Sequence, residues 1–441
     1  MALALFVAEG EDRVRPLPLS GLLRRMTNEA IATGRFLDRI VDRARLERAA
    51  DWLAIAVAVS LPWSTSLSGI LIGLWCFAVI PTLDLRSLRW AVMVPAATIP
   101  LLLFAYGVIG MAWGGASFAD QWGSIKPTLR FLAIPLLFIQ FRRSERGMWV
   151  LAGFLASCTA LLAFSWLLTA WPIYLRPGNA FPGVPIKDYI VQSGEFLICA
   201  FALTHLSITA WREGRWRATL VLAALALVFL LNIAFVATAR STLIIFAALL
   251  VLVALQRFDW KGAVAVMVAG AVFAGVAWAA SPHLRARVLS VASEIHEYQY
   301  QDGATSSGLR LEFWRKSIKL IAAAPVFGHG TGTVLDRFRD LASEGEGASS
   351  AVTDQPHNQT FQIAIQLGLV GAALLFGLWI SHLLMFRGGG LVAWLGVGAV
   401  VQNILSCIFN TYLLEFTLGW IYVFGIGVLG GMMLRQRAPA H

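Results

Sequence analysis

The chain has 441 residues; 58% are hydrophobic, only 14% are charged, and the mean hydropathy is +0.71. A soluble domain carries roughly 25% charged residues, so this composition excludes an ordinary soluble protein. Many apolar runs reach the roughly 20 residues that cross a bilayer as a helix, and they are continuous instead of alternating, which excludes a β-barrel. We therefore expect an all-α polytopic membrane protein.

The formal net charge is +10. On a soluble protein this excess would indicate nucleic-acid binding, but most of the cations here lie in one set of predicted loops, so we expect no nucleic-acid partner. The four cysteines, Cys76, Cys158, Cys199 and Cys407, lie inside apolar runs and show neither metal-binding nor disulfide spacing. Neither a metal nor a cofactor is expected.

Residues 1–50 contain nine arginines and no lysine. From Ser20 onward, apolar residues and arginines recur at helical spacing, which is typical of an amphipathic helix on an anionic cytoplasmic membrane surface. A solvated basic arm is the alternative interpretation.

Twelve membrane spans are predicted after this segment. They lie at residues 51–65, 67–83, 88–112, 121–140, 148–171, 189–211, 218–237, 241–256, 262–281, 358–386, 391–410 and 415–434. The spans therefore form a block of nine between residues 51 and 281 and a block of three between residues 358 and 434, followed by a short tail at 435–441.

Lysine and arginine residues indicate how these spans are oriented. Every loop that would share a side with the N-terminus is basic, for example those with Arg86, Arg143, Arg215 and Arg257, and that side holds most of the 35 Lys and Arg residues. Because cytoplasmic loops are enriched in these residues, we expect both termini in the cytoplasm.

Two loops on the opposite side are long, and loops of such length are usually functional or disordered. The first, 172–188, contains Arg176 and Lys187. The second, 282–357, includes a predicted helix near 308–323, because serines precede it, a proline follows it, and its apolar residues have helical spacing.

The cations of that predicted helix are expected to face polar surroundings, and its stripe of Trp314, Ile318 and Ile321 to face protein or lipid. The glycine-rich segment 328–332 then predicts a flexible loop that carries His329. His329 is a candidate for substrate contact, with simple exposure to water as the alternative.

His357 is the first candidate for chemistry. It lies at the outer end of a predicted span, after Pro356 and before Asn358, next to the long charged loop. A histidine titrates near pH ~6.5 and can therefore accept or share a proton at neutral pH. The alternative is a helix-end histidine that only caps the helix or faces water.

Arginines supply the second group of candidates. Arg240 lies between two apolar runs, where it points either into a substrate path or outward to lipid headgroups. Arg310 begins the predicted loop helix, where backbone N–H groups also favour an anion. Lys126 and Arg130 stand one helical turn apart in an outward-entering span, so they would share a face.

The sequence contains no P-loop, no dinucleotide-binding fingerprint and no metal-ligand spacing. What remains is a set of fixed cations and one histidine at a membrane surface. Because the guanidinium fork donates two aligned hydrogen bonds to phosphate oxygens, this combination suggests an anionic lipid substrate that carries its own diphosphate leaving group.

The chain resembles the O-antigen ligases, the lipid A–core:surface polymer ligases. His357-Asn358, followed nine residues later by Gly368-x-x-Gly371, is similar to the periplasmic histidine motif of that family. The basic helix with Arg310, together with the junction around Arg240, is similar to the wider O-antigen ligase/polymerase superfamily.

This resemblance implies a GT-C-type glycosyltransferase that works without metal or cofactor and inverts the sugar it transfers. Its donor would be polysaccharide on undecaprenyl diphosphate, and its acceptor a sugar hydroxyl of lipid A–core. The reaction would belong to lipopolysaccharide biosynthesis, on the periplasmic face of the bacterial inner membrane. Membrane lipids are the other expected partners.

The resemblance also implies roles for individual residues. His357 would orient or deprotonate the acceptor hydroxyl, while Arg240 and Arg310 would bind the diphosphate and stabilise the leaving group. The candidates for substrate binding are Arg176, Lys187, Asn358, Lys126, Arg130, Trp314 and His329.

Several alternatives stay open at this point. An O-antigen polymerase or a protein O-oligosaccharyltransferase would use the same donor with another acceptor. A lipid or sugar transporter would need a polar path to both faces, whereas the predicted spans are almost free of ionisable groups in the middle. A structural scaffold would leave Arg240 and His357 unexplained.

Overall fold

The computed structural model describes residues 43–173 and 182–437, and these residues are helical with no β-strand among them. The all-α polytopic fold class predicted from composition is thereby confirmed. Most of the predicted Arg-rich N-terminal segment, and also Arg176, lie outside the described residues.

Seventeen α-helices form the described chain. Before the first long loop they are α1 (Arg43–Ser60), α2 (Thr65–Val79), α3 (Leu85–Val92), α4 (Pro95–Ile109), α5 (Phe118–Ile125), α6 (Ala133–Arg143) and α7 (Gly147–Ala170). After it they are α8 (Tyr189–Arg212), α9 (Trp216–Phe235), α10 (Arg240–Arg257), α11 (Trp260–Ala280), α12 (Pro282–Gln301), α13 (Ser306–Ala323), α14 (Val334–Asp340), α15 (Gln359–Met385), α16 (Gly390–Phe409) and α17 (Phe416–Gln436). Short 3₁₀ helices lie at Ile80–Thr82, Gly110–Ala112, Lys126–Leu132 and Ala348–Ser350.

Eleven of the twelve predicted spans coincide with described helices that are long and apolar enough to cross a membrane. The span predicted at 51–65 does not, because it lies in α1, which ends at Ser60 and carries five charged residues in its first half. α1 still pairs antiparallel with α2: Arg43 Nη2 donates to the Thr82 carbonyl (2.7 Å), and the Oγ atoms of Ser60 and Ser68 lie 2.9 Å apart.

The span predicted at 121–140 contains a break. The 3₁₀ helix Lys126–Leu132 separates α5 from α6 within a continuous helical stretch, Phe118–Arg143. Because a 3₁₀ helix has three residues per turn, Lys126 and Arg130 point in different directions. Lys126 is exposed and Arg130 is only 5% exposed, so the prediction that they share a helix face is wrong.

The two ends of the bundle differ in chemistry. At one end, which we call the basic face, Arg143 Nη2 donates to Asp84 Oδ2 (2.7 Å) and Arg146 Nη1 to Asp51 Oδ2 (3.2 Å). The opposite end, where α8, α10, α15 and α17 begin, is the site face. Every predicted catalytic residue lies at a helix start on the site face or in the loop that precedes α15.

Two apolar cores hold the helices together. One joins α1, α2, α4 and α6 to α15–α17 and contains the fully buried rings of Trp75 and Phe138. The other joins α7–α10 to α16, where Phe201 stacks on Trp394 with ring centroids 4.5 Å apart. Because α16 contributes to both cores, it fixes the position of the loop that follows it on the site face.

The long loop before α15 is more helical than predicted. The helix predicted near 308–323 is α13, and its N-cap is Thr305, whose side chain accepts a hydrogen bond from the Gly308 amide. The sequence interpretation missed α12 and α14. α12 follows α11 after a single residue, Ser281, which caps it with Pro282 at the first helical position.

α15 is broken at Gly368, which takes the left-handed φ of 63° with ψ −162°. The segment before α14 packs into this break: the amide of Leu369 donates to the Pro325 carbonyl at 2.8 Å, and that of Val370 to the Val326 carbonyl at 3.3 Å. A Cβ atom at Gly368 would lie 2.1 Å from the Val326 oxygen. The motif glycine therefore permits close backbone contact.

The glycine-rich segment 328–332, predicted to be flexible, is held by backbone hydrogen bonds. The amides of His329 and Gly330 donate to the carbonyls of Ile365 and Gln366, each at 2.8 Å. The Gly332 amide donates to Gln366 Oε1 at 2.7 Å. The segment is therefore an ordered clamp on α15, and the flexible-loop prediction is wrong.

Replacing Gly368 with alanine is expected to destabilise the protein. The backbone conformation at Gly368, φ 63° with ψ −162°, is adopted almost only by glycine and costs an L-residue about 1–3 kcal/mol, and the added methyl would also displace Val326. Thermal unfolding in detergent measures the effect. Gly214→Ala is the control, because Gly214 has φ +71° but nothing within 4 Å of its Cβ position. Equal melting temperatures for the two variants would contradict the packing argument.

Candidate functional site

His357 lies in the turn before α15, on the site face, and is half-buried with an unusual left-handed φ of 53°. Its Nδ1 lies 3.1 Å from Asn410 Oδ1, in the loop between α16 and α17. The same oxygen accepts a hydrogen bond from the Thr411 amide at 2.9 Å. His357 thus contacts a loop that sequence reasoning did not connect with it.

Burial lowers the pKa of His357, and the positive charge of Arg310 lowers it further. The hydrogen bond with Asn410 and the negative charge of Asp354 act in the opposite direction, but the pKa stays below its usual value. The imidazole is therefore neutral at neutral pH and able to accept a proton.

Asn358, predicted to contact substrate, has a structural role in the described chain. It is the N-cap of α15, since its Oδ1 accepts the Phe361 amide at 3.1 Å. Its Nδ2 donates to the Ile408 carbonyl, also at 3.1 Å. Because both ends of this amide are occupied and the residue is buried, its role in substrate binding stays a prediction without a free polar atom to support it.

Two further hydrogen bonds join the turn before α15 to the loop after α16. The Leu413 amide donates to Gln359 Oε1 at 3.1 Å, and Thr411 Oγ1 donates to Gln355 Oε1 at 2.8 Å. We call the contact between residues 355–359 and 408–413 the loop zipper. It fixes the backbone on both sides of the histidine.

Arg240 begins α10 and forms a two-pronged ion pair with Glu294 of α12. Its Nη1 donates to Glu294 Oε2 at 3.0 Å and its Nη2 to Oε1 at 2.6 Å. The same guanidinium donates to Ser307 Oγ at 2.9 Å and to Ser290 Oγ at 3.3 Å. Arg240 therefore faces protein and not lipid, at the start of α13.

Glu294 was not found by sequence reasoning, since no motif marks it. Its carboxylate accepts from the Ser307 amide at 2.9 Å and from Ser307 Oγ at 2.6 Å. The hydrogen bonds from Arg240 and Ser307 lower the pKa of Glu294 to about 2 against the opposing effect of burial. The carboxylate thus occupies an anion-binding position formed by an arginine and a helix N-terminus.

Arg310 lies one turn beyond Ser307 on α13 and is half-buried. Among the described residues it has neither a hydrogen-bond nor an ion-pair partner, in contrast to Arg240. Its charge acts on both His357 and Tyr412. Arg310 therefore presents an uncommitted guanidinium next to the histidine.

Tyr412 connects the histidine and arginine parts of the site. It is buried, which raises the pKa of its phenol, while the nearby side chains of Asn410 and Ser241 and the charge of Arg310 act to lower that pKa. Ser241 follows Arg240 directly in α10. Sequence reasoning missed Asn410 and Tyr412, although polar residues between two spans were a visible sign of them.

Two cations of α13 contact polar groups of the protein, in agreement with the polar surroundings expected for them. Arg315 makes a two-pronged ion pair with the buried Glu312 (2.8 and 2.7 Å), and buried Lys316 donates to the Ser349 carbonyl at 2.6 Å. The predicted apolar stripe is divided. Trp314 packs edge-on against Phe361, whereas Ile318 is 59% exposed.

Two other predicted substrate contacts are occupied by the protein itself. Arg130 Nη1 donates to the Glu415 carbonyl at 2.5 Å, before the start of α17. His329 Nε2 donates to the Leu320 carbonyl at 2.9 Å and so holds the clamp against α13. Their substrate contacts stay predictions, and the described contacts are internal.

Lys187 is tied to three elements. Its ammonium group donates to the Leu61 carbonyl after α1 and to Thr417 Oγ1 of α17 at 2.9 Å, and it lies 3.8 Å from the buried carboxylate of Glu195 in α8. Burial lowers the pKa of Lys187, with Glu195 opposing. This cation therefore joins α1, α8 and α17 below the site face.

An apolar cavity of about 210 Å³ lies between α1, α7, α8, α16 and α17. A second, narrower slot shares Ile198, Ala399, Gln402 and Ile421 with it and extends to Ser241 and Tyr412. The two cavities therefore share part of their walls, and the narrower one reaches the polar site. Among the described residues no group of His, Cys, Asp and Glu could hold a metal ion.

We expect Lys187→Met to lower stability by about 3 kcal/mol or more, because breaking a buried ion pair leaves Glu195 without its partner. Thermal unfolding in detergent measures this loss. Lys126→Met is the matched control, since Lys126 is exposed and should change the melting temperature little. If the two variants have the same melting temperature, Lys187 does not hold the helices together as described.

Comparison with models of known protein families gave a match. Residues 225–376 match the family model described as O-antigen ligase, and this segment contains Arg240, Arg310 and His357 but ends before Asn410. A comparison with curated proteins gave no match. Members of the matched family are glycosyltransferase-like ligases and polymerases, which supports an enzymatic role. The match confirms the resemblance stated from the sequence: between residues 225 and 376 the chain carries the domain of the O-antigen ligase family.

Proposed function

We propose that this protein is an O-antigen ligase that transfers polysaccharide from undecaprenyl diphosphate to a sugar hydroxyl of lipid A–core. The observation that carries the proposal is the arrangement within the matched segment. Arg240, Arg310 and His357 come from three separate stretches of chain, yet Arg240 donates to Ser307, one turn before Arg310, and the charge of Arg310 acts on His357.

In this reaction the acceptor oxygen forms a bond to the anomeric carbon while the bond from that carbon to the diphosphate oxygen breaks, with inversion. The proton of the acceptor hydroxyl passes to the neutral His357. The leaving diphosphate gains negative charge, which Arg310 and Arg240 stabilise. Arg310 is the first contact for the phosphate, because it has no partner among the described residues.

The apolar cavity supports a lipid-linked donor. Its lining is almost entirely apolar, and it shares lining residues with the slot that reaches Ser241 and Tyr412. An isoprenoid tail in this cavity would bring its diphosphate to the start of α10. Burial of such a tail supplies binding energy that a water-soluble sugar nucleotide lacks.

The proposed location is the bacterial inner membrane with both termini in the cytoplasm and the site on the periplasmic side. The charge distribution supports this orientation, since the loop with Arg143 and Arg146 lies on the basic face, opposite His357. Transfer without a metal or cofactor is part of the proposal, because the diphosphate bond supplies the free energy.

Replacing His357 with glutamine is expected to lower the transfer rate by about 10²–10⁴-fold, the usual contribution of general base catalysis. Arg240→Gln and Arg310→Gln should each cost about 10²–10³-fold through loss of charge stabilisation. The measurement is polymer transfer to lipid A–core by purified protein.

The matched control for these variants is Lys319→Gln, an exposed cation on the same helix as Arg310. It should keep full activity, and all variants should insert at normal abundance. Undiminished polymer on the core with either His357→Gln or Arg240→Gln would falsify the assignment of roles.

The rate should fall at acidic pH, because protonated His357 cannot accept a proton. Since burial and Arg310 lower the pKa of His357, the midpoint of this fall should lie below the ordinary histidine value of ~6.5. Asp354 raises that pKa, so Asp354→Asn should move the midpoint to still lower pH. A shift toward higher pH, measured in kcat/KM profiles, would contradict the electrostatic argument.

A cell that lacks the protein distinguishes the ligase from its nearest relatives. Loss of a ligase leaves long polymer on the carrier lipid and bare core at the surface. Core capped with a single repeat would indicate an O-antigen polymerase instead. Unchanged lipopolysaccharide with unglycosylated protein would indicate a protein O-oligosaccharyltransferase.

A further inference from the structure

The Asn410 side chain dictates which nitrogen of His357 carries a proton. Its Oδ1 accepts the backbone N–H of Thr411 at 2.9 Å, and a backbone amide is always a donor, so this atom is the oxygen and not the amide nitrogen. The oxygen has no proton to give, yet it lies 3.1 Å from His357 Nδ1. Nδ1 must therefore be the donor.

A neutral imidazole carries one proton, so a protonated Nδ1 leaves Nε2 with a free lone pair. We propose that Asn410 is the positioning residue of His357: it selects the Nδ1–H tautomer, so that Nε2 accepts the proton of the acceptor hydroxyl. This inference rests on the proposed glycosyl transfer. After the proton arrives, both nitrogens carry a proton, and the Nδ1–H···Oδ1 hydrogen bond is retained.

Asn410 is itself held in place. Its Oδ1 accepts the backbone N–H of Thr411, whose own side chain donates to Gln355 Oε1 at 2.8 Å, and the chain continues into Tyr412. Tyr412 is only 4% exposed. The asparagine therefore cannot rotate without losing its contact with Thr411, and the loop after α16 orients the imidazole.

The backbone conformation at His357 is strained, so the orientation of the imidazole is maintained at a cost in conformational energy. A left-handed φ of 53° is unfavourable for a residue with a side chain and persists only where neighbouring contacts enforce it. Here the loop zipper supplies those contacts on both sides, through Gln355 before the histidine and through Asn358 and Gln359 after it. The strained turn is what points the ring toward Asn410.

The identity of residue 410 also sets the charge balance around the ring. The groups that act on His357 are Arg310 from α13 and Asp354 from its own loop, with the Phe313 ring 6.2 Å away and Tyr412 behind Asn410. A neutral amide at position 410 keeps the histidine neutral at physiological pH. A carboxylate there would make the same two hydrogen bonds and stabilise imidazolium.

Two variants of Asn410 separate positioning from packing. Asn410→Asp accepts from Nδ1 and from Thr411 as before, so it should keep the tautomer but raise the pKa of His357. Asn410→Leu removes the acceptor and should abolish the preference for Nδ1–H. Nitrogen-15 NMR of selectively labelled histidine in detergent-solubilised full-length protein reports both properties, and His357→Gln identifies the resonance.

The matched control for Asn410→Leu is Gln355→Leu. It removes another side-chain hydrogen bond of the loop zipper, to Thr411, without touching the imidazole. The tautomer of His357 should be unchanged in this control and altered in Asn410→Leu. If the wild-type ring carries its proton on Nε2, or if Asn410→Leu leaves the tautomer as it was, the inference is overturned.

Kinetics provide the second test. Asn410→Leu should lower kcat on the order of 10- to 100-fold, the usual loss when the group that orients a functional histidine is removed, with little change in KM. Asn410→Asp should move the acidic fall of the rate to higher pH, and this shift should vanish in a His357→Gln background. If Asn410→Asp does not shift the acidic fall of the rate, the positioning role is overturned.

The two proposals fail in distinguishable ways. Wild-type protein that transfers no glycan under any condition refutes the proposed function, whereas the NMR tautomer is measured without turnover. If the wild-type enzyme is active but the tautomer and the pKa of His357 do not change with substitutions at Asn410, only the positioning role is refuted.

Discussion

The arrangement of the site depends on the need to satisfy backbone polar groups where three helices meet in a largely apolar protein. The start of α15 and the end of α16 with its following loop satisfy each other's polar groups. Asn358 Nδ2 donates to the Ile408 carbonyl, and Gln359 Oε1 accepts the Leu413 amide. Unpaired polar groups at membrane depth cost several kcal/mol each, so this contact is strongly enforced. His357 lies inside the enforced segment and receives its orientation from it.

The same requirement determines what many of the cations do. Arg130, Lys187 and Lys316 each donate to backbone carbonyls at the ends of helices or loops, and each is buried or nearly so. Arg240 instead meets a carboxylate, and Arg310 meets no described partner. A buried cation can thus hold the protein together instead of binding a ligand, and its contacts indicate which role it has.

Sequence reasoning predicted the parts of the molecule that depend on long apolar runs and local motifs. Eleven spans, the helix α13 and the position of His357 at a helix start follow from such patterns. It missed α12, whose polar composition lacks a span pattern, and it could not tell that Arg130 is buried. Asn410 lies 53 positions beyond His357, and no local pattern links residues so far apart.

The pairing of Arg240 with Glu294 has a consequence for selectivity. A small anion in solution that approaches this guanidinium competes with a carboxylate already tethered at high effective concentration, and it gains little by exchange. A ligand anchored elsewhere, by a hydrocarbon tail or by Arg310, competes on equal terms because it too is held locally. Under the proposed function, this pairing would let the protein discriminate against free inorganic phosphate and accept a phosphate delivered on a lipid.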